Sequence, residues 1–320
     1  MRTKIHVLTP IMLGGVLLAA ATGPASAGYS VQTVTDPTGT AFINLLGIND
    51  SGTIAGFDNA NTAQGFTLTL PSNFTPQNYP NSFTSMVTAI NNNGDTAGIY
   101  TDPNNVTHGY TDIHGIFSIV DNPASVVFNQ ALGINNADMT VGYYAPTTAG
   151  TTGQIAYAQS HGVFTDINTL LPANVNSQAV GINNNNAIVG FYQPTLLTSI
   201  GFFDLNGTFT QIDPFGSSFT QALGINDEGE IVGFYLDANG VQHGYIDNNG
   251  VFSSFDPAGS ASTTINGVND LGQIVGFYTD NGDATVGFVG TPVPEPTAPF
   301  AIALLGLTLV CWHRRAVCRV

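Results

Sequence analysis

Between Ile5 and His313 the chain contains no lysine and no arginine. All five basic residues lie at its ends, as Arg2 and Lys4 and then Arg314, Arg315 and Arg319. Twenty of the 21 acidic residues fall between Asp36 and Asp283, so the long interior carries a strong negative charge with only a few neutral histidines beside it. Binding nucleic acid requires Lys or Arg to displace phosphate counterions, so DNA and RNA are excluded as partners and an anionic membrane surface is disfavoured. Cysteine is as scarce: Cys311 and Cys318 both lie near the C-terminus. The body therefore has neither a disulfide framework nor a thiolate zinc site and must be held by core burial, which 320 residues allow. Also missing are a Gly-x-Ser-x-Gly elbow, a His-Glu-x-x-His pair and a phosphate-cradling loop, which removes the common signatures of serine hydrolases, zinc proteases and nucleotide binders.

Apolar residues make up 43% of the chain and 37 glycines punctuate it, a composition of short strands joined by tight turns. The first 27 residues read differently. Arg2 and Lys4 precede an apolar run from Val7 to Ala21, and Ala25-Ser26-Ala27 follows with the small-x-small pattern of a signal-peptidase site. This predicts Sec export and a mature chain beginning at Gly28. The alternative, an N-terminal anchor, suits the run less well because it is short and broken by Pro10, Gly14 and Gly15.

Residues 291–320 repeat the logic in mirror order: Pro294-Glu295-Pro296, an apolar run from Ala298 to Trp312, then Arg314 and Arg315. This arrangement resembles the PEP-CTERM sorting signal of Gram-negative bacteria. The resemblance implies an exosortase-type enzyme as partner, processing near the Pro-Glu-Pro, and delivery to the cell surface or extracellular matrix. Fifteen residues at about 1.5 Å each reach about 22 Å, less than a hydrocarbon core of roughly 30 Å. A transmembrane helix over 298–312 is thus expected to insert only transiently in the inner membrane, with Arg314 and Arg315 as its cytoplasmic stop.

Between the two ends, over 28–290, the sequence repeats itself six times. An apolar-Asn step recurs at Asn49, Asn91, Asn135, Asn183, Asn226 and Asn269, and a glycine follows seven residues later each time, from Gly56 to Gly276. The fifth copy is the clearest: Leu223-Gly224-Ile225-Asn226, then Gly229, Gly233-Phe234-Tyr235, His243-Gly244-Tyr245, Gly250-Val251-Phe252 and Asp256-Pro257. It reads as four short strands. Asn-x-x-Gly makes the first hairpin turn, Asn through an Asx bond and Gly through positive φ, and Asp237 to Gly240 makes the second. The fourth-strand phrase appears at Phe74, Phe117, Phe164, Phe209 and Phe252 and is missing after the sixth repeat. Val31-Gln32-Thr33-Val34 supplies it from the N-terminus, which predicts a ring latched by exchange of a terminal strand. The expected fold is an all-β, six-bladed β-propeller of four-stranded blades, with a β-solenoid as the alternative. The repeats also resemble the HAF family of extracellular repeats through His108-Gly109-Tyr110 and His243-Gly244-Tyr245. That resemblance implies an extracellular location and transfers no residue role, because the middle residue departs from the family phrase.

Candidate chemistry is sparse. Tyr100, Tyr144, Tyr192, Tyr235 and Tyr278 recur at one blade position, with Asp58 in the first copy. They are expected to pack between blades, with a sugar-stacking ring as the alternative. Asp227, Glu228, Glu230, Asp237 and the Asp280–Asp283 turn are oxygen-rich enough to hold Ca²⁺, although Asx and Gly residues are equally what tight hairpins demand. His108, His114, His161 and His243 lack metal-ligand spacing and read as turn or strand-edge residues. A sialidase-type clamp is excluded by the missing arginines. The expectation is a non-enzymatic surface or matrix module that binds glycan, cation or protein within an exopolysaccharide layer. The alternative is a glycan-cleaving enzyme with two carboxylates in the axial funnel.

Overall fold

The computed structural model describes residues 28–293, other than 36–41, 60–61, 126, 148–149, 151–152 and 174. The signal segment with Ala25 and Ala27, and the tail carrying Pro294, Glu295, Pro296, the expected helix over 298–312, Arg314 and Arg315, lie outside the described residues. The described strands form six four-stranded sheets, every neighbouring pair antiparallel. Blade 1 runs through Ile43–Ile48, Thr53–Asp58, Gln64–Thr69 and Asn73–Pro76, and blade 2 through Thr84–Ile90, Thr96–Thr101, Thr107–Ile113 and Ile116–Val120. Blade 3 comprises Asn129–Ile134, Thr140–Tyr144, Ile155–Ser160 and Val163–Asp166; blade 4 comprises Asn176–Ile182, Ala187–Thr195, Thr198–Leu205 and Thr208–Ile212. Blade 5 holds Thr220–Ile225, Glu230–Leu236, Gln242–Asn248 and Val251–Phe255. Blade 6 holds Ser260–Val268, Ile274–Asp280 and Thr285–Pro292, and its outermost strand is Tyr29–Val34 from the other end of the chain.

That exchange closes the ring as the missing sixth phrase predicted. Tyr29 pairs with Pro292 and Val34 with Gly287, and the amide of Val293 donates to the carbonyl of Gly28 at 2.7 Å. Val34 is buried in one cluster with Leu45, Phe66 and Val275, so the terminal strand joins the core shared by blades 6 and 1. A solenoid would leave its two ends apart; here blade 6 packs on blade 1.

Within each blade the repeated glycine has a steric cause. The second-strand glycine lies directly opposite an aromatic residue of the third strand, as Gly142 opposite Tyr157, Gly190 opposite Phe202 and Gly233 opposite Tyr245. A Cβ at Gly190 would overlap the carbonyl of Gln178 and approach the Phe202 ring to 2.9 Å. Tyr110, Tyr157, Phe202, Tyr245 and Phe288 are fully buried in this way, each removing on the order of 2–3 kcal/mol of apolar surface from water. The fourth-strand phenylalanine then packs on that ring, Phe164 on Tyr157 at 5.0 Å and Phe252 on Tyr245 at 6.1 Å.

The first strand of every blade carries a bulge at the same place, as between Leu45 and Gly47 in blade 1 and between Ala222 and Gly224 in blade 5, and that of blade 6 has a second irregularity between Ser260 and Ser262. The bulged residues Leu46, Thr88, Leu132, Val180, Leu223 and Asn266 line an axial channel of about 150 Å³. Glycine beside the bulge lets neighbouring inner strands approach, since a Cβ at Gly224 would sit 3.0 Å from the Cα of Gly267.

Candidate functional site

The six repeated asparagines meet around one mouth of the axial channel. Each is buried, and each side-chain Oδ1 accepts at least one amide of its own turn, as Asn183 does from Asn185 at 3.0 Å and from Ala187 at 2.9 Å. Each Nδ2 donates to the backbone carbonyl of the next blade's asparagine. The sequence of bonds runs Asn49 to Asn91, Asn91 to Asn135, Asn135 to Asn183, Asn183 to Asn226, Asn226 to Asn269 and Asn269 back to Asn49, at 2.9–3.2 Å.

A second circuit lies on top of the first. The residue after each asparagine donates its amide to the side-chain Oδ1 of its counterpart in the next blade, through Asp50, Asn92, Asn136, Asn184, Asp227, Asp270 and back to Asp50. Three of these six are therefore carboxylates on consecutive blades. Burial, with the charges of Asp227 and Asp50 adding to it, pushes the Asp270 carboxyl above the usual range. The funnel carboxylates thus occupy equivalent turn positions and are engaged as acceptors between blades.

On the opposite face, where blades are joined and second strands end, blades 2 and 5 each carry a histidine held between two carboxylates. His108 Nδ1 lies 2.6 Å from Asp121 Oδ2, and its Nε2 lies 3.9 Å from Asp102. His243 Nδ1 lies 2.7 Å from Asp256, and its Nε2 lies 3.8 Å from Asp237. Hydrogen bonds from the amides of Val106 and Val241 hold the carboxyls of Asp102 and Asp237 below their ordinary range, so both stay ionised. Asp121 is shifted the other way, by burial.

Each imidazole also leans on the second-strand tyrosine of its blade, His108 on Tyr100 at 4.8 Å between ring centres and His243 on Tyr235 at 5.4 Å. Beyond that tyrosine blades 2 and 5 differ. In blade 2, Tyr79 stacks flat on Tyr100 at 3.8 Å and 6°. In blade 5, Phe215 stands 5.0 Å from Tyr235 at 48° and is 57% exposed. A cleft of about 310 Å³ opens there, lined by Phe215, Ser217, Ser218, Tyr235 and Asp237. Phe215 has φ of 57°, a left-handed conformation that costs a residue with a Cβ about 1–3 kcal/mol and tends to mark functional loops.

The other sequence candidates fall out as follows. Tyr100, Tyr144, Tyr192, Tyr235 and Tyr278 are each at most 9% exposed, and the last four lie in core clusters that span two neighbouring blades, so they pack between blades as expected and do not form a funnel platform. Asp237 and Asp280 spend one carboxylate oxygen on the amides of their own turns, as Asx geometry requires. Glu230 accepts from Asn226 at 3.3 Å. No group of three or more His, Cys, Asp or Glu side chains suited to a metal ion occurs among the described residues. His114 reaches Asp95 at 3.3 Å, and His161 Nδ1 lies 2.9 Å from the hydroxyl of its neighbour Ser160.

The carboxylate–histidine–carboxylate sets and the exposed Phe215 were not singled out from the sequence. A signal for the first was present: Asp, His and Asp stand at identical intervals in Asp102, His108, Asp121 and in Asp237, His243, Asp256. Phe215 left none, since its exposure depends on the backbone path of an irregular segment.

No family model matches the chain, and no curated protein matches it. Among solved structures it is similar to AofleA from Arthrobotrys oligospora, with 12% identity over 83% of this chain and 91% of that one and a TM-score of 0.49. A fungal lectin from Aleuria aurantia described as a six-bladed β-propeller with a fucose recognition mode is 11% identical over 80% and 96%, with a TM-score of 0.48. A Trypanosoma rangeli sialidase is 8% identical over 89% and 60%, with a TM-score of 0.46. The strand order of this chain by itself defines its propeller.

Proposed function

We propose that this chain is an exported surface or matrix protein, non-enzymatic, whose propeller binds neutral glycan through the blade 5 cleft. The observation that carries this reading is the exposed ring of Phe215, held out by an unfavourable backbone conformation beside Tyr235 and the ionised carboxylate of Asp237. An aromatic face takes the C–H face of a sugar ring, and a carboxylate accepts hydroxyl hydrogen bonds at a sugar's edge. A body with no Lys or Arg supplies no counter-charge for an anionic ligand, which favours neutral sugars.

Sorting by an exosortase-type enzyme, with final location at the surface or in an exopolysaccharide layer of a Gram-negative bacterium, belongs to the same proposal and rests on the PEP-CTERM resemblance. It is compatible with the ring's construction. Gly28 and Val293 are hydrogen-bonded neighbours in blade 6, so cleavage after Ala27 and near Glu295 removes no strand.

The test is a neutral-glycan array probed with the purified protein and with Phe215→Ala. Binding by the parent that falls at least tenfold in the variant, with the glycan left intact after incubation, is the expected result. Chain shortening of a bound glycan would replace this reading with that of a hydrolase, and equal binding by Phe215→Ala would remove the site from blade 5.

A further inference from the structure

We infer that the turn at the tip of blade 4, Leu196-Leu197, is a membrane-contact tip that seats the propeller on a lipid surface of uncharged or zwitterionic headgroups. This surface is independent of the glycan reading and uses no residue of the blade 5 cleft.

Blades 2, 5 and 6 join their second and third strands by one kind of polar turn. Asp102, Asp237 and Asp280 open it, each accepting two amides of the turn. The seventh residue after the second-strand glycine, Asn105, Gly240 or Asp283, then takes left-handed φ of 65°, 79° or 63°. Blade 4 keeps the length of the hairpin, with Gly190 opposite Phe202 as Gly233 is opposite Tyr245, but not the residues. Pro194 stands where the aspartate would be, and Leu196-Leu197 stand where blade 5 has Asn239-Gly240. The polar contacts of the turn pass to the flanking threonines. Thr195 and Thr198 pair across the hairpin with their hydroxyls 2.8 Å apart, the Thr195 amide donates to Thr198 Oγ1 at 3.2 Å, and the Leu197 amide donates to Thr195 Oγ1 at 3.3 Å. The leucine side chains take no part in holding the hairpin.

They are also outside the core. Leu196 is 83% and Leu197 85% exposed, more than any other large apolar side chain among the described residues, and neither enters the apolar clusters of blade 4. Turns select Gly, Asn and Asp for conformational reasons that leucine does not meet. A single exposed leucine is ordinary on a protein surface, whereas two side by side at a tip aim apolar surface at an external partner. A protein partner would need roughly 800 Å² from each side, several times what two side chains at a turn can cover. A lipid layer needs no matching shape, only apolar atoms that enter below the headgroups and charges that stay out.

The distribution of charge meets the second condition at this blade. From Ile167 to Phe203 the chain has no acidic, basic or histidine residue, while the corresponding turns of blades 2, 5 and 6 carry Asp102, Asp237, Asp280 and Asp283. Of the acids that bound the stretch, Asp204 lies toward the far end of the third strand, and Asp166 and Asp213 close the outermost strands of blades 3 and 4. Blade 4 can therefore approach a membrane tip first without carrying carboxylates into it. An anionic headgroup layer would repel the rest of the body, which has no Lys or Arg to answer it, so the surface is a neutral one. The two side chains together hold fewer carbons than a myristoyl chain, whose binding constant is only about 10⁴ M⁻¹, so the contact is weak, reversible and read at millimolar lipid.

The experiment uses residues 28–293, which hold all six four-stranded blades and omit the apolar runs 7–21 and 298–312 that would enter lipid by themselves. Co-flotation with phosphatidylcholine vesicles is compared between this protein and the double variant Leu196→Asn, Leu197→Gly, whose Asn-Gly pair is well suited to a tight hairpin. A partition coefficient at least tenfold lower in the variant, at an unchanged melting temperature, is the expected result. Equal flotation of the two, or none by the parent, overturns the proposal, as does tighter binding to phosphatidylglycerol vesicles than to phosphatidylcholine. A dimer of the parent that the variant loses in sedimentation, without flotation of the parent, gives the tip to a second copy of the chain and overturns the lipid assignment. Should the double variant fail to fold, Leu196→Trp serves, because 28–293 otherwise contains no tryptophan. Its emission should move to shorter wavelength when phosphatidylcholine vesicles are added, and an unmoved spectrum overturns the proposal.

Discussion

Replacing Asn183 by alanine tests whether the asparagine ring holds the blades together. The side chain makes three hydrogen bonds, one across to Asn226 of the next blade and two to amides of its own turn, and it is 5% exposed. Each such bond contributes about 1 kcal/mol net, and buried partners left unsatisfied lose more than that, so the substitution should cost about 3 kcal/mol. Unfolding entropy of about 2.1 cal/mol/K per residue over roughly 260 residues turns this into a fall in Tm of about 5 °C. Asn185→Ala is the control: it is exposed and gives up a single bond, to the carbonyl of Asp227, so its cost should stay below about 1 kcal/mol. Differential scanning calorimetry supplies the two numbers, and hydrogen exchange of the Ala187 amide supplies a local one, since that amide loses its acceptor only in Asn183→Ala. If the two variants melt within about 1 °C of each other and Ala187 stays protected, the ring contributes nothing and the reasoning is refuted.

Three further outcomes follow from the same geometry. The Asp270 carboxyl is raised in the folded state, chiefly by burial, so its contribution is favourable below the unfolded value and is lost as pH climbs through the folded one. Asp270→Asn, the residue that blades 2, 3 and 4 carry there, keeps the acceptor for the Asp227 amide and should raise Tm by a degree or two near pH 7; this gain should vanish below about pH 4, as melting curves across pH will show. Gly190→Ala places a methyl against the Gln178 carbonyl and the Phe202 ring and should cost at least about 3 kcal/mol by urea denaturation, whereas Gly207→Ala, which meets nothing but has φ of 82°, should cost only about 1 kcal/mol. A chain lacking residues 1–34 has no outer strand for blade 6; size-exclusion chromatography should find it associating through the bared Thr285–Pro292 edge, and a stable monomer would show that the latch is dispensable.

Much of this fold is legible because the repeat is local. Asn-x-x-Gly turns, the Gly that recurs seven residues on and the aromatic that follows are set by interactions within about 20 residues, and the copies reinforce one another. Where glycine is absent from the turn, Asp138 and Asn186 take the same left-handed conformation, with φ of 57° and 61°, as residues able to tolerate it do. The histidine sites are legible only in retrospect, because Asp121 and Asp256 lie a strand away from their histidines and acquire meaning once third and fourth strands pair. The asparagines read as turn residues in the sequence, but half of their role lies across a gap of 42 to 48 residues, and for Asn269 to Asn49 across 220 residues.

The sequence by itself determined the blade count, the strand order within each blade and the exchange of the terminal strand, because each follows from a phrase that is present or missing at a countable period. It also determined the charge, which leaves no Lys or Arg between Ile5 and His313 to neutralise a phosphate backbone. Tertiary structure alone decided that six asparagines become one circuit, that the recurring second-strand tyrosines are buried packing, and that blades 2 and 5 each hold a histidine between two carboxylates. Those properties depend on the rotation that brings one blade against the next and on the φ of a few loop residues, and neither is written in any stretch of neighbouring residues.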